Sequence, residues 1–241
     1  MPSRPQRLVE LSRALADEVD LLRFSAPVAY VYNPLRYARR AHEAYLERVA
    51  RGTKQVVLLG MNPGPYGMVQ TGVPFGDVAT VRDWLRIDAP IEKPAIEHPK
   101  RPVLGLGCPR IEVSGTRLWG WARARYASPA DFFARFYVAN YCPLAFLEAG
   151  GRNRTPDKLL PPERARLQAA CDRALRELTA VIEPSLVVGI GSYARVAAAR
   201  ALEPLGLPVA QVLHPSPANP QANRGWAEQA EQALQALGVR L

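Results

Sequence analysis

Lysine is scarce in this chain. Only Lys54, Lys93, Lys100 and Lys158 stand among 31 basic residues, so a net charge of +9 and a pI near 9.8 are carried almost wholly by arginine. Arginine keeps its charge and grips phosphate with a two-pronged fork, which suits an anionic partner such as nucleic acid. An arginine-rich solvated surface is the plainer account, and charge alone does not choose between them. Cysteine is also sparse: Cys108, Cys142 and Cys171 are odd in number and far apart. They match neither a disulfide framework nor a CxxC metal spacing, which favours a reducing, intracellular setting. Three thiols also fall short of the four that an all-cysteine iron–sulfur centre needs. With three histidines in all, and none grouped with cysteines and carboxylates, no metal or other cofactor is implied.

Long apolar runs are missing too. No stretch approaches the roughly 18 apolar residues of a membrane span, and Met1 to Arg7 is polar rather than signal-like. There is no internal repeat, low-complexity tail or linker. At 241 residues and 48% hydrophobic content, the expectation is a single domain over 1–241, with N-terminal helices at about 5–50 packed onto it.

Periodicity supplies the elements. Leu8, Leu11, Leu15, Val19 and Leu22 recur at helical spacing, predicting an amphipathic helix over roughly 5–23. A second helix is expected from Pro34 to Ala50, with Tyr37, Ala41, Tyr45 and Val49 on one side. Strands are read at about 55–60, 135–141, 186–190 and 208–213. Helices are read at 162–182, from Gly191-Ser192 to about 203, and from Trp226 onward, and Asp77 can cap a short helix containing Val81, Trp84 and Leu85. Residues 88–116 are rich in proline and glycine without a clear period, and read as a functional loop region with short strands. Strands alternating with helices predict a three-layer α/β/α fold around a four-stranded parallel sheet.

Two loops carry the chemistry. The first opens from a buried-strand signature as Gly60-Met61-Asn62-Pro63-Gly64-Pro65-Tyr66-Gly67-Met68, and the second as His214-Pro215-Ser216-Pro217-Ala218-Asn219. Loops at the carboxyl ends of parallel strands converge on one crevice, so the two form a candidate active site. The first contains neither GxGxxG nor GxxxxGK[ST], and Pro63 and Pro65 remove amide donors. A nucleotide phosphate cradle is therefore disfavoured.

Six motifs, GMNPGPYGMVQTGVPFGDV at 60–78, EHPKRPVLGL at 97–106, SGTRLWG at 114–120, NYCPL at 140–144, GRNRTP at 151–156 and HPSPANPQANRGW at 214–226, occur in this order. Over about 50–241 the chain resembles the uracil-DNA glycosylase superfamily, and within it the single-strand-selective monofunctional uracil-DNA glycosylases. The resemblance implies hydrolysis of the N-glycosidic bond of a damaged base flipped out of single- or double-stranded DNA. It implies Asn62 as the residue that orients the attacking water, and His214 as donor to uracil O2, where negative charge develops. Asn140 would read the uracil edge, its amide offering a donor to O4 and an acceptor to N3–H. Phe75 would stack on the base, within a pocket shaped by Gly60, Met61, Gly64 and Met68.

In the most uracil-restricted branch a tyrosine near Gly64 blocks the thymine methyl. Glycine here implies open space, and tolerance of C5-oxidised uracils such as 5-hydroxymethyluracil. Ser216 and Pro217 would grip backbone phosphate. Many relatives carry arginine where this chain has Ala218, so wedge action would fall to Asn219, Gln221 or Arg224, with a stronger preference for single strands. No lysine lies on either loop, which implies simple hydrolysis to an abasic site. His42 and His98 are read as structural. The rival readings are a widened purine scope (hypoxanthine, xanthine), a catalytically silent lesion-binding module and a free-nucleoside hydrolase. A monomer acting on DNA is expected, with no membrane partner. Its location would be the cytoplasm, at the nucleoid, in a bacterium and the nucleus in a eukaryote.

Overall fold

The computed structural model describes residues 2–241. The chain opens with α1 (Arg4–Asp20), whose start is a reciprocal cap: the Gln6 amide donates to Ser3 Oγ and the Ser3 amide to Gln6 Oε1. Then come β1 (Val28–Tyr32), α2 (Pro34–Tyr37), α3 (Arg39–Val49), β2 (Val56–Gly60) and α4 (Met68–Thr71). A π-type turn at Thr80–Trp84 precedes α5 (Val113–Arg125), α6 (Pro129–Phe133), β3 (Phe136–Asn140), β4 (Ala145–Glu148) and β5 (Asn153–Arg154). The chain closes with α7 (Pro161–Ile182), β6 (Leu186–Ile190), α8 (Ser192–Leu202), β7 (Val209–Val212) and α9 (Trp226–Ala236).

Four strands form the expected parallel sheet, in the order β3-β2-β6-β7. Every residue of β2 is buried, as a central parallel strand covered on both faces requires. All four strands end at one edge, which brings the segments after Gly60, Asn140, Ile190 and Val212 together. The register sets Gly60 directly opposite Asn140.

Two expectations are corrected. The helix expected over 34–50 is two helices that meet at Ala38, which sits off helical geometry at φ −105° and ψ 23°. A Cβ on Gly72 would come within 2.8 Å of the Ala38 Cβ, so the glycine-rich loop packs against this joint. The predicted inward face survives the break, since Tyr37, Ala41, Tyr45 and Val49 are all buried. Residues 88–116 hold no strand; they contain one 3-10 turn at Gly105–Gly107 and the first turn of α5. Helix α5 escaped the periodicity reading because Gly115 and Gly120 interrupt it and its buried residues do not form one clean stripe. A second, antiparallel sheet, β1-β4-β5, was also unforeseen.

Aromatic packing fixes α5. Trp119 and Trp121 meet Phe132 edge-on, and Phe132 stacks on Phe136 of β3 at 5.1 Å. Among the described residues no helix is long and apolar enough to cross a membrane. All three cysteines are free and buried.

Candidate active site

At the carboxyl edge of the parallel sheet lies a cavity of about 350 Å³, at the lower end of the roughly 300–1,000 Å³ usual for small-molecule sites. Asn62, Phe75, Asn140 and His214 all line it, from three segments of chain: the loop after β2, the end of β3 and the loop after β7.

Each is held by identifiable contacts. Asn62 follows β2, and its Nδ2 donates to the Leu144 carbonyl at 3.2 Å. That bond uses the amide's donor side and turns Oδ1 into the available acceptor. Asn140 ends β3, and its Nδ2 donates to Met68 Sδ at 3.2 Å. A Cβ on Gly60 would fall 2.4 Å from Asn140 Oδ1 and 2.5 Å from the Phe75 ring, so glycine is what lets these two groups close over the strand end. Phe75 itself has φ 57°, a conformation costly for a side chain with a Cβ. Neighbours impose it: Trp119 Nε1 donates to the Pro74 carbonyl at 3.3 Å, and a Cβ on Gly115 would lie 1.9 Å from the Phe75 carbonyl oxygen.

His214 follows β7 beside Gly191, which has φ +90° and whose added Cβ would sit 3.1 Å from the His214 Cβ. Burial pushes the imidazole below its ordinary value, so the ring is neutral near pH 7. A neutral imidazole still has one N–H to donate.

Met61 and Gly64 line the same cavity, whereas Met68 is buried behind Asn140. The space beside Gly64 is not open as expected. A Cβ there would lie 2.4 Å from Glu112 Oε2, so the Glu112 carboxylate occupies it. Glu112 Oε2 accepts from the Tyr66 amide at 3.2 Å, and the Gly67 amide, which donates to the Gly64 carbonyl at 3.3 Å, lies close by. Burial pushes the carboxyl above its usual range and these two amides pull it back.

Of the expected DNA-facing residues, Ser216 lines the cavity, while Pro217, Ala218, Gln221 and Arg224 are exposed. Ser216 Oγ and Asn219 Oδ1 accept from the Ala218 and Gln221 amides, shaping the turn. Reading residue by residue missed Glu112, Ser114, Asn153 and Thr155, which also line the cavity. It missed Arg117 as well, whose guanidinium donates to the Pro215 and Ser216 carbonyls at 3.2 and 3.3 Å and to Asn223 Oδ1 at 2.8 Å. All but Glu112 stand in the SGTRLWG, GRNRTP and neighbouring motifs; nothing in the sequence assigned them a contact. His42 and His98 are structural: His42 Nδ1 lies 2.8 Å from the Gly72 carbonyl oxygen and His98 Nε2 3.0 Å from that of Ala149.

The sequence profile of the uracil DNA glycosylase superfamily matches residues 48–238, most of the chain and all of this site. The chain belongs to that superfamily. It is 50% identical over 228 residues to the single-strand selective monofunctional uracil DNA glycosylase of Bos taurus, covering 93% of this chain and 84% of that protein. It is 48% identical to the Mus musculus protein of the same name, covering 98% and 86%. These likenesses place it in the single-strand-selective monofunctional group of the glycosylase superfamily. The crystal structure of wild-type Pedobacter heparinus SMUG2 shares the fold, with a TM-score of 0.70 and 14% identity over 99% of this glycosylase-family chain and 98% of that one.

Proposed function

We propose that this protein is a monofunctional DNA-repair glycosylase. It hydrolyses the N-glycosidic bond of uracil, and of C5-oxidised uracils such as 5-hydroxymethyluracil, in single- and double-stranded DNA. The observation that carries this reading is the meeting of Asn62, Phe75, Asn140 and His214 on one cavity of suitable size.

The base leaves its stack and lies against the Phe75 ring, where a π-face supports any pyrimidine. Asn140 selects uracil: its Oδ1 accepts from N3–H and its second amide hydrogen donates to O4, a pattern that cytosine mismatches. As the bond from C1′ to N1 breaks, its electron pair departs with the base. The sugar becomes oxocarbenium-like and the base becomes an anion with charge on O2. His214 donates its N–H to that oxygen, and does so best in a partly desolvated site where the hydrogen bond strengthens as charge grows.

Asn62 Oδ1 accepts from a water poised beneath C1′. An amide is a poor base, but an oxocarbenium needs a placed nucleophile more than a deprotonated one. The water oxygen bonds to C1′, its surplus proton passes to solvent, and an abasic site remains. No lysine lines the cavity to attack C1′ instead. Ser216 and Pro217 to Arg224 grip the DNA backbone next to the flipped nucleotide. The whole chain works as one domain, since α1 contributes Leu8 and Val19 to the same core as the parallel sheet, and it acts as a monomer. It works wherever cellular DNA is kept.

The test is cleavage of single-stranded oligonucleotides carrying one uracil, without added metal, followed by hot alkali. Wild type should cut at uracil only after alkali. Asn62→Ala and His214→Ala should each lose about 10²–10³-fold while remaining folded. Strand breaks before alkali would refute the monofunctional reading. Uracil left intact by folded wild type would refute the pyrimidine specificity and turn attention to hypoxanthine and xanthine.

A further inference from the structure

Asn62 is oriented by a carbonyl that has a support of its own. A side-chain amide is nearly symmetric about its last torsion, and its two orientations exchange a donor for an acceptor. Only the one that turns Oδ1 toward the cavity lets Asn62 accept from the attacking water. Among the described residues, the hydrogen bond that selects it runs from Nδ2 to the Leu144 carbonyl at 3.2 Å.

Leu144 ends a buried turn, Cys142-Pro143-Leu144, through which the chain leaves β3 of the parallel sheet and enters β4 of the antiparallel one. Pro143 has no amide with which to brace that turn. The Cys142 sulfur closes it instead. The Leu144 amide donates to Sγ at 3.4 Å, and the Cys142 thiol donates to the Leu144 carbonyl at 3.6 Å. A carbonyl oxygen has two lone pairs, and here one meets the thiol and the other Asn62. The Cys142 amide donates to the Met61 carbonyl at 2.9 Å, which ties the turn to the residue before Asn62 as well. Cys142 and Leu144 are both buried, so solvent offers the turn no substitute for the sulfur.

We propose, resting on that glycosylase reading, that Cys142 is a positioning residue for the hydrolysis: its sulfur fixes the Leu144 carbonyl that keeps Asn62 Oδ1 turned toward the attacking water. Cys142 is not part of the cavity lining. Without the sulfur the carbonyl shifts and the amide swings over. Its NH2 group then binds the lone pair with which the water attacks C1′. Among the described residues, the side chains of Asn140, Phe75 and His214 make no hydrogen bond to Leu144. The effect therefore falls on the chemical step and not on base binding.

The experiment measures kcat and KM on single strands bearing uracil for wild type, Cys142→Ser and Cys142→Ala, each with and without Asn62→Ala. Alanine removes both sulfur bonds and should lower kcat about tenfold, with KM within about twofold. Serine keeps a donor and an acceptor on a shorter reach, and should lose only about threefold. In the Asn62→Ala background neither substitution should cost more than about 1.5-fold, because the carbonyl has no amide left to orient. Equal losses in both backgrounds, or a rise in KM with kcat unchanged, would make Cys142 a packing residue and overturn the inference. Should alanine at this position prevent folding, the serine pair decides: a loss that vanishes with Asn62→Ala supports the inference, and one that persists or never arises overturns it. Wild type that cuts uracil beside unaffected variants ends this inference alone. Folded wild type that leaves uracil intact ends the glycosylase reading, and this inference with it.

Discussion

The two loops that meet at the cavity are built in opposite ways. The loop from Asn62 to Gly76 is sunk into the protein, and its polar groups are consumed by its own surroundings. Thr71 Oγ1 donates to the Gly76 carbonyl at 2.7 Å, and Gln70 donates to the Pro65 and Pro102 carbonyls while accepting from the Leu104 amide. His42 holds the Gly72 carbonyl from below. The loop from His214 to Gly225 is mostly exposed beyond its first residues, and two side chains from outside, Arg117 at its start and Gln229 at its end, tie down its carbonyls. The contrast fits a division of labour. Groups that place a water and read a base need positions fixed to a fraction of an ångström. A surface that follows a DNA backbone needs charge and shape but can adjust on contact.

The comparison can be broken most sharply at Gly60. Gly60→Ala drives a methyl into Asn140 and Phe75 together, and uracil cleavage should fall at least about a hundredfold, a loss that a displacement near 1 Å can produce. Single-turnover kinetics on uracil-containing single strands would show it. A drop of less than about threefold would mean the buried loop is softer than its packing implies.

Acid should weaken the fold through the buried ring that holds the Gly72 carbonyl. Burial holds the His42 ring at about 4 in the folded protein, against about 6.5 unfolded. As pH falls through that window the unfolded chain takes a proton that the folded chain refuses, so stability drops, by about 3 kcal/mol in full. The full stability is present above about pH 6.5. Urea unfolding from pH 7 to 4 should show that slope in wild type and a shallower one in His42→Asn. Equal slopes would remove His42 from the account.

The exposed loop should respond in affinity rather than chemistry. Arg117→Ala frees two carbonyls and Asn223, and should raise KM for single-stranded DNA roughly tenfold, with a much smaller change in kcat. A matching loss in kcat would show that Arg117 also places His214. The smallest effect is expected from Ala218→Arg at an exposed site of the same loop. It should give a few-fold gain on duplex DNA and none on single strands, because a long side chain can fill the vacated stack. No gain on duplex would argue against a wedge at this point.

The sequence by itself determined the four parallel strands and the two loops at their carboxyl ends, while its resemblance to a glycosylase family pointed to Asn62, Phe75, Asn140 and His214, which the structure brings to one cavity. It could do so because buried parallel strands are short unbroken apolar runs, and the loops that follow them carry glycine and proline in a distinctive order. It did not determine the break at Ala38, helix α5 or the sheet β1-β4-β5. A helix whose buried residues lie on more than one side has no clean period, and antiparallel partners as distant as Val28 and Glu148 leave no local mark. Tertiary structure alone decided what fills the space beside Gly64. A glycine in a sequence reads as room, but a neighbour from another segment takes that room, and here the neighbour is a carboxylate. It also gave Arg117 its place, since a hydrogen bond across 98 residues depends on how α5 packs and not on anything beside it in the chain.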